Sequence, residues 1–388
     1  MSETERFVAA LQSCAPQAFQ LNYKIANDPE LSGKEYHACK TYVTVCRALG
    51  MKVEENFTGQ PTAFRAVVHQ SDAPVLKVAL LAEYDALPDI GHGCGHSANG
   101  AMSFLAATAF QKMKMLPVDI DLIGTPDEEL RGGKVAMCEK GVFKDYDLAI
   151  MVHVSANETT ANSHFLALDD YRVRFHGQTA HAASEPWEGR NALNGATLAL
   201  HAIDMMRQHV RPETRIGTYV VNGGAASNVV PDYAEVECCI RNTERPYLNE
   251  VVRKIMNCFK GAAIATETTY DVTQVGYKYD NLLWNHTATK VSESVLDDMG
   301  ISYTDPAGCG SSDIGNVSHQ CPAIHLHLAM GDTYYPGHSK YIADMVKNQK
   351  IEPVIVRGAE IMGRIVVKLM EDTALRQAMK DEFVKAEK

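Results

Sequence analysis

Residues 75–82 read VLKVALLA, a continuous apolar run of strand length that decides the fold class. Two similar runs follow, VDIDLI at 118–123 and LAIMV at 148–152, and residues 101–110 have helical spacing. Apolar strands separated by helices are typical of a parallel sheet that is covered on both faces. The sequence therefore predicts an α/β domain with a mostly parallel central sheet, whose ligands bind beyond the carboxyl ends of the strands.

The middle of the chain has a different rhythm. Strand-like and helical patterns follow one another as β-α-β-β-α-β, at residues 171–175, 192–206, 217–221, 234–240, 248–262 and 268–275. This is the order of a ferredoxin-like unit, and it predicts an inserted α+β domain over residues 168–282, with 1–167 and 283–388 forming the first domain. Because such a small sheet leaves open edges, we expect a homodimer or a larger homo-oligomer.

Length, charge and composition exclude several classes of protein. A chain of 388 residues exceeds the usual size of one hydrophobic core, and a net charge of −11 argues against a nucleic-acid partner. No apolar run is long enough to span a membrane, and the N-terminus MSETERF lacks the features of a secretory signal. We therefore expect a cytoplasmic protein with reduced cysteines that acts on a small molecule.

The segment GHGCGH at residues 91–96 is the first candidate for a metal site. Cysteine and histidine suit zinc and similar divalent ions, and the glycines allow a tight loop in which Cys94 and His96 face one point. Taken alone, Cys94 is more often an inert buried thiol, and His92 or His96 is more often a hydrogen-bonded loop residue. The two clusters that follow favour the metal site.

The second cluster is GTPDEE at residues 124–129, directly after the second apolar run. Adjacent acids point in different directions, so Glu129 can bind a metal while Glu128 serves as a general base. A solvated acidic loop is the simpler interpretation of such a short charge run. The third cluster is His153, placed at the end of the third run. Three groups of ligand residues after three candidate parallel strands predict one shared site.

These motifs resemble those of the M20 metallopeptidase family, in the family's order and over nearly the whole chain. The segments that carry the resemblance are AEYDALP at 82–88, GHGCGH at 91–96, GTPDEE at 124–129, MVH at 151–153, GQTAHAA at 177–183 and NVVPD at 228–232. GSSDIGNVS at 310–318 looks most like the amidohydrolase branch, which includes p-aminobenzoyl-glutamate hydrolases, aminoacylases and dipeptidases. The resemblance implies a zinc-peptidase-like catalytic domain with an inserted lid or dimerisation domain.

The resemblance also implies roles for individual residues. Two divalent ions, zinc or manganese, are expected on Cys94 as the bridging ligand and on His96, Glu129, His153 and His338. Glu128 is the expected general base, and Asp85 is expected to orient the site from behind the ligands. In the inserted domain the resemblance assigns oxyanion stabilisation to His181, while Asn228 and Arg241 are candidates for binding a substrate carboxylate.

Some features leave alternatives open. His325 and His327 are rival late ligands, although their apolar surroundings favour a core role. The branch frequently has Asp-x-His after the histidine of the first cluster, where this chain has Ser97-Ala98-Asn99, and the roles of those positions are therefore in doubt.

The expected function is hydrolysis of an amide bond, by a metal-bound hydroxide, in a small carboxylate-bearing substrate. The expected substrates are an N-acyl amino acid, an aminobenzoyl-glutamate-like conjugate or a dipeptide. One alternative keeps the site and releases ammonia from an aromatic or heterocyclic amine. A further alternative is a non-catalytic binding protein on the same fold.

Overall fold

The computed structural model describes residues 1–305 and 310–386, which divide into two compact units. Unit 1 comprises residues 1–164 and 282–388, and unit 2 comprises residues 165–281, compared with 168–282 for the insert predicted from the sequence. Each unit has its own hydrophobic core.

The central sheet of unit 1 has six strands. They are β1 (Lys52–Glu55), β2 (Phe64–His69), β3 (Leu76–Ala82), β4 (Val118–Gly124), β5 (Leu148–Ser155) and β10 (Ala323–Ala329), in the spatial order β1-β2-β4-β3-β5-β10. The β3–β4, β3–β5 and β5–β10 pairs are parallel. The mostly parallel sheet predicted from the apolar runs is therefore confirmed.

Two strands at one edge of this sheet do not stand out in the sequence. Strand β1 pairs with β2 and β2 pairs with β4, both antiparallel. Every second residue of β2 is buried, so this strand alternates and lacks the continuous apolar run of the central strands. In β3 and β4 the last five residues are all buried, because both faces of the central strands are covered.

The helices of unit 1 are α1 (Glu3–Ala26), α2 (Tyr36–Ala48), α3 (His96–Lys112), α4 (Gly133–Glu139), α7 (His286–Asp298), α8 (Ile314–Ser318), α9 (Lys340–Met345), α10 (Glu352–Glu371) and α11 (Thr373–Ala386). Helix α3 is buried from His96 to Phe110 and packs between the sheet and helices α1 and α10. Helix α3 begins at His96, so its first residue belongs to the first ligand cluster. Among the described residues, no helix has both the length and the apolar character needed to cross a membrane.

Unit 2 contains β6 (Ala167–His176), α5 (Ala192–Met206), β7 (Arg215–Asn222), β8 (Tyr233–Asn242), α6 (Arg245–Ala265) and β9 (Thr269–Gln274). Its four strands are antiparallel in the order β7-β8-β6-β9, which is the ferredoxin-like arrangement. Burial alternates along β6 and β8, and helices α5 and α6 cover the buried face.

Candidate metal centre

The carboxyl edge of the parallel strands carries the predicted ligands. Strand β3 leads into the loop with Cys94 and then into α3, whose first residue is His96. Strand β4 leads into the loop with Glu128 and Glu129, and His153 lies within β5. The apolar run predicts His153 just after its strand, and that detail is wrong because β5 continues to Ser155. Because neighbouring parallel strands end at the same edge, the three segments meet there.

Two groups of possible ligand atoms share Cys94. In each group, three atoms lie within 4.8 Å of one another: Cys94, His96 and His153 in one, and Cys94, Glu129 and His338 in the other. The five residues that the family resemblance names as ligands are thus brought together in unit 1. Cys94 belongs to both groups, which is the placement that a bridging ligand requires.

The loop before α3 depends on Gly95. This residue has φ +93°, and a Cβ atom at its position would lie 2.1 Å from Cγ2 of Val154 in β5. Glycine therefore allows both the left-handed turn and the close approach of the loop to β5. The approach places Sγ of Cys94 3.8 Å from Nε2 of His153.

Asp85 orients His96. Its Oδ1 atom lies 2.9 Å from Nδ1 of His96, and its Oδ2 atom accepts the backbone N–H of Glu129 at 2.9 Å. With Nδ1 donating to the carboxylate, the Nε2 atom of His96 is directed to the ligand cluster. Burial opposes the charged forms of both groups, but their mutual attraction outweighs it: the pKa of Asp85 is lowered and that of His96 is raised well above its ordinary value.

His153 is held in the same tautomer by a different partner. Its Nδ1 atom lies 2.8 Å from the carbonyl oxygen of Val154, so Nε2 is the atom available to a metal. Burial, and then the neighbouring His327 and His96, lower the pKa of His153 to about 3, which favours the neutral ring that binds metals. Asn99, at a departure from the family pattern, accepts the Val154 N–H at 2.9 Å and fixes β5 beside His153.

The donor set fits a divalent ion. Nε2 of His96 and Oε1 of Glu129 are buried without a hydrogen-bond partner among the described residues, and Nε2 of His338 lies 3.6 Å from Oε2 of Glu129. Burial raises the pKa of the Cys94 thiol, so its thiolate needs a nearby cation. Nitrogen, oxygen and sulfur donors in one cluster suit zinc or a similar ion.

Glu128 lies at the border between the ligands and a second buried cluster. One of its carboxylate oxygens belongs to a group with His96 and Glu129, and one to a group with Glu83 and Asp313, each within 4.8 Å. Burial first, and then the negative charges of Glu83 and Asp313, raise the pKa of Glu128 well above its ordinary value.

A buried lysine belongs to this second cluster. Nζ of Lys134 donates to Glu83 and to Asp313, each at 2.6 Å. The sequence does not single out these three residues as functional. Glu83 and Asp313 lie within the family motifs, whereas Lys134 stands in an ordinary helical stretch and gives no signal.

The rival histidines lie next to the ligands without joining them. His327 is opposite His153 in the β5–β10 register, and the rings of His153 and His325 are 5.4 Å apart. Among the described residues, the ligand groups include neither His325 nor His327. Burial lowers the pKa of His327 to about 4.

The three predicted residues of unit 2 lie on separate elements. His181 and Asn228 are exposed on adjoining loops, joined by a hydrogen bond from the Ala182 N–H to the Asn228 carbonyl at 3.0 Å. Nδ1 of His181 accepts the N–H groups of Ala183 and Ser184, each at 3.2 Å. Arg241 lies in β8, opposite Leu168 and Arg215.

Known proteins resemble this chain over most of its length. The chain is 31% identical to the Xaa-Arg dipeptidase of Mus musculus, over 97% of this chain and 91% of that protein. It is also 31% identical to one of the two subunits of the p-aminobenzoyl-glutamate hydrolase of Escherichia coli K12, over 70% of this chain and 60% of that protein.

Solved structures show the same fold. A putative aminohydrolase from methicillin-resistant Staphylococcus aureus superposes with a TM-score of 0.80 at 20% identity, covering 95% of this chain and 100% of that one. A dinuclear metal binding peptidase of the M20 family from Bacillus subtilis superposes with a TM-score of 0.72 at 15% identity, covering 93% and 99%.

The family model for "Peptidase family M20/M25/M40" matches residues 79–368, which include the ligand clusters of unit 1 and all of unit 2. The resemblance predicted from the motifs is thereby confirmed, as is the expectation of an enzyme. The family match and the matched relatives together establish that this chain is a hydrolase of peptidase family M20/M25/M40, acting on amide or peptide bonds.

Proposed function

We propose that this chain is a two-metal amidohydrolase that cleaves the amide bond of a small carboxylate-bearing substrate, with Glu128 as the general base. The observation that carries the proposal is the pair of ligand groups sharing Cys94, with Glu128 beside two of their members. Cys94 would bridge the ions, and His96, Glu129, His153 and His338 would complete the set. Zinc and manganese both suit these donors.

Divalent ions in this cluster would polarise the substrate carbonyl and increase the acidity of a water molecule. Glu128 would accept a proton from that water as its oxygen bonds to the amide carbon. When the carbon–nitrogen bond breaks, Glu128 would return the proton to the departing amine.

In unit 2, His181 is the proposed donor to the oxyanion. Because its Nδ1 atom accepts two backbone N–H groups, the neutral ring carries its proton on Nε2 and presents a hydrogen-bond donor there. A donor aimed at developing negative charge is among the strongest contributions to hydrolysis. Asn228 and Arg241 are proposed to bind the substrate carboxylate, arginine through its two parallel N–H bonds.

Two relatives guide the choice of substrate. One is named for dipeptides that end in arginine and the other for p-aminobenzoyl-glutamate, and these compounds share an amide bond close to a carboxylate. We therefore propose dipeptides, p-aminobenzoyl-glutamate-like conjugates and N-acyl amino acids as the substrate class. The exposed edge strands β7 and β9 further support a homodimer or larger homo-oligomer.

The test is product release from a panel comprising dipeptides with C-terminal arginine, p-aminobenzoyl-glutamate, N-acetyl amino acids and aromatic amines. Metal-loaded wild type is compared with Glu128→Gln and Glu129→Gln. We expect an amine and a carboxylate as products, E128Q reduced to a small residual rate with its metal retained, and E129Q depleted of metal. Ammonia as the product would show a deaminase, and full activity in E128Q would overturn the proposed base.

A further inference from the structure

A short segment outside the predicted motifs contacts the loops that follow β3 and β4. This brace segment, residues 31–35, precedes helix α2. Leu31 forms a bridge with Ala86, and Oγ of Ser32 donates to Oδ2 of Asp85 at 2.8 Å. The brace segment therefore supports the carboxylate that orients His96.

Glu35, at the end of the brace segment, contacts the loop after β4. Its side chain is completely buried, and its Oε1 atom accepts the N–H of Asp127 at 2.9 Å and that of Gly33 at 2.6 Å. Asp127 immediately precedes Glu128. One oxygen of Glu35 thus ties the brace segment to the backbone beside the proposed base.

Asp127 has a backbone conformation that must be held in place. Its φ is +66°, in the left-handed region of the backbone that residues other than glycine rarely adopt. Its carbonyl accepts the Gly132 N–H at 2.7 Å, and its side chain accepts a bond from Arg131 at 2.7 Å. Such conformations persist where several contacts fix them together, and they concentrate at functional sites.

The other neighbour of Glu128 is tied in the same way, since Glu129 donates its N–H to Asp85. The backbone N–H groups of the residues on both sides of Glu128 are therefore bound to buried carboxylates. We propose that Glu35 is a positioning residue for hydrolysis, which fixes the backbone of Asp127 and thereby the direction of the Glu128 side chain. This inference rests on the proposed role of Glu128.

The experiment compares variants of Glu35 in the full-length, metal-loaded enzyme with the fastest substrate of the panel. Glu35→Met keeps the length of the side chain but removes the acceptor. Glu35→Asp keeps a carboxylate but shortens the side chain by one methylene group, which moves the acceptor away from the Asp127 N–H. Glu35→Gln retains an Oε1 atom able to accept both N–H groups. Glu30→Met is the matched control, because Glu30 accepts the N–H groups of His37 and Ala38 at the start of α2.

We expect kcat to fall about 10- to 100-fold in E35M and E35D, the size of effect produced by a small misplacement of a catalytic group. KM and bound metal should stay within about twofold of wild type, because the ligand cluster is unchanged. E35Q should recover most of kcat, and E30M should match wild type. Hydrogen exchange of residues 125–133 should accelerate in E35M and E35D but not in E30M or E35Q.

Wild-type kcat in E35M and E35D would overturn the proposal. It would also be overturned if kcat fell in both variants only together with a loss of bound metal or of the folded state. Adding E35M to E128Q separates this inference from the proposed function. If Glu35 acts through Glu128, the double variant should be no slower than E128Q alone. If E128Q itself is fully active, the proposed base fails, whatever E35M does.

Discussion

Nζ of Lys134 lies 2.6 Å from Oε1 of Glu83, and both side chains are buried. The same ammonium group contacts Asp313, so one cation pairs with two carboxylates from different segments. Burial opposes the charged form of Lys134, but the carboxylates outweigh it and raise the pKa of the amine. A charged lysine therefore joins the end of β3, the start of α4 and the residue before α8.

We expect Lys134→Met to be strongly destabilising, because it leaves two buried carboxylates without their cation. Removing one partner of a buried pair typically costs about 3–5 kcal/mol. The measurement is the free energy of unfolding in urea, made on chelator-treated protein so that bound metal does not contribute.

Lys368→Met is the control, since its pair with Asp298 is largely exposed, with 35% and 60% of the two side chains accessible. Its loss should amount to less than about 1 kcal/mol. An equally small loss in K134M would contradict a charged, paired lysine.

A second expectation concerns Asp85 and metal affinity. Oδ1 of this carboxylate faces His96, while Oδ2 accepts bonds from Ser32 and Glu129. In Asp85→Asn only one oxygen remains, so one of these contacts is lost. Removing such support behind a ligand lowers metal affinity by about 10- to 100-fold, which competition with a chelating dye would measure.

The matched control for D85N is Asp121→Asn. Asp121 is also buried and accepts side-chain bonds, from Arg65 and Tyr146, but it lies within β4. D121N should be less stable and keep wild-type metal affinity. If both variants bind metal equally well, Asp85 does not orient the ligands.

Much of unit 1 and unit 2 could be predicted because burial leaves a pattern in the sequence. The runs at 75–82, 118–123 and 148–152 are apolar because both faces of those strands are covered. The alternation in unit 2 arises because one face of its sheet packs on helices. Strand β2 was not predicted because it lies toward the sheet's antiparallel edge, where buried and partly exposed residues alternate along the strand.

The candidate ligands could be named from the sequence because their residue types recur in recognisable motifs. Cys94, His96 and Glu129 stand in such motifs, whereas Glu35 and Lys134 are linked to the site by hydrogen bonds with residues far away in the chain, Asp127 and Asp313. A contact of that kind depends on how loops are packed, and neither spacing nor composition encodes it. The supporting residues behind the ligands are therefore what the structure adds.

A third expectation is a pH-dependent stability due to Glu35. Burial first, and then the charge of Asp85, raise the pKa of Glu35 from 4.5 to about 7. The folded chain thus keeps a proton that the unfolded chain releases. The contribution of this group to stability is complete below the unfolded pKa and is lost as pH rises through the folded pKa.

Glu35→Gln isolates this effect, because the amide of glutamine does not titrate. The pH dependence due to all other titratable groups is common to both proteins and cancels in the comparison. Between about pH 4 and pH 8, the free energy of unfolding of wild type should fall by about 3 kcal/mol relative to E35Q. A constant difference between the two proteins would show that Glu35 titrates normally in the folded state.

The last expectation concerns His181, whose Nδ1 atom accepts the N–H groups of Ala183 and Ser184. If its Nε2–H stabilises the oxyanion, His181→Ala should reduce kcat by about 10²- to 10³-fold, as loss of such a donor does elsewhere. KM and metal content should change little, because the donor acts in the transition state and belongs to a different unit from the ligands. His176→Ala is the control in the same unit, since that ring bonds to Asp271 at 2.7 Å. Equal kcat values in H181A and H176A would exclude His181 from the reaction, whereas a loss confined to H181A would bring a residue of unit 2 into catalysis.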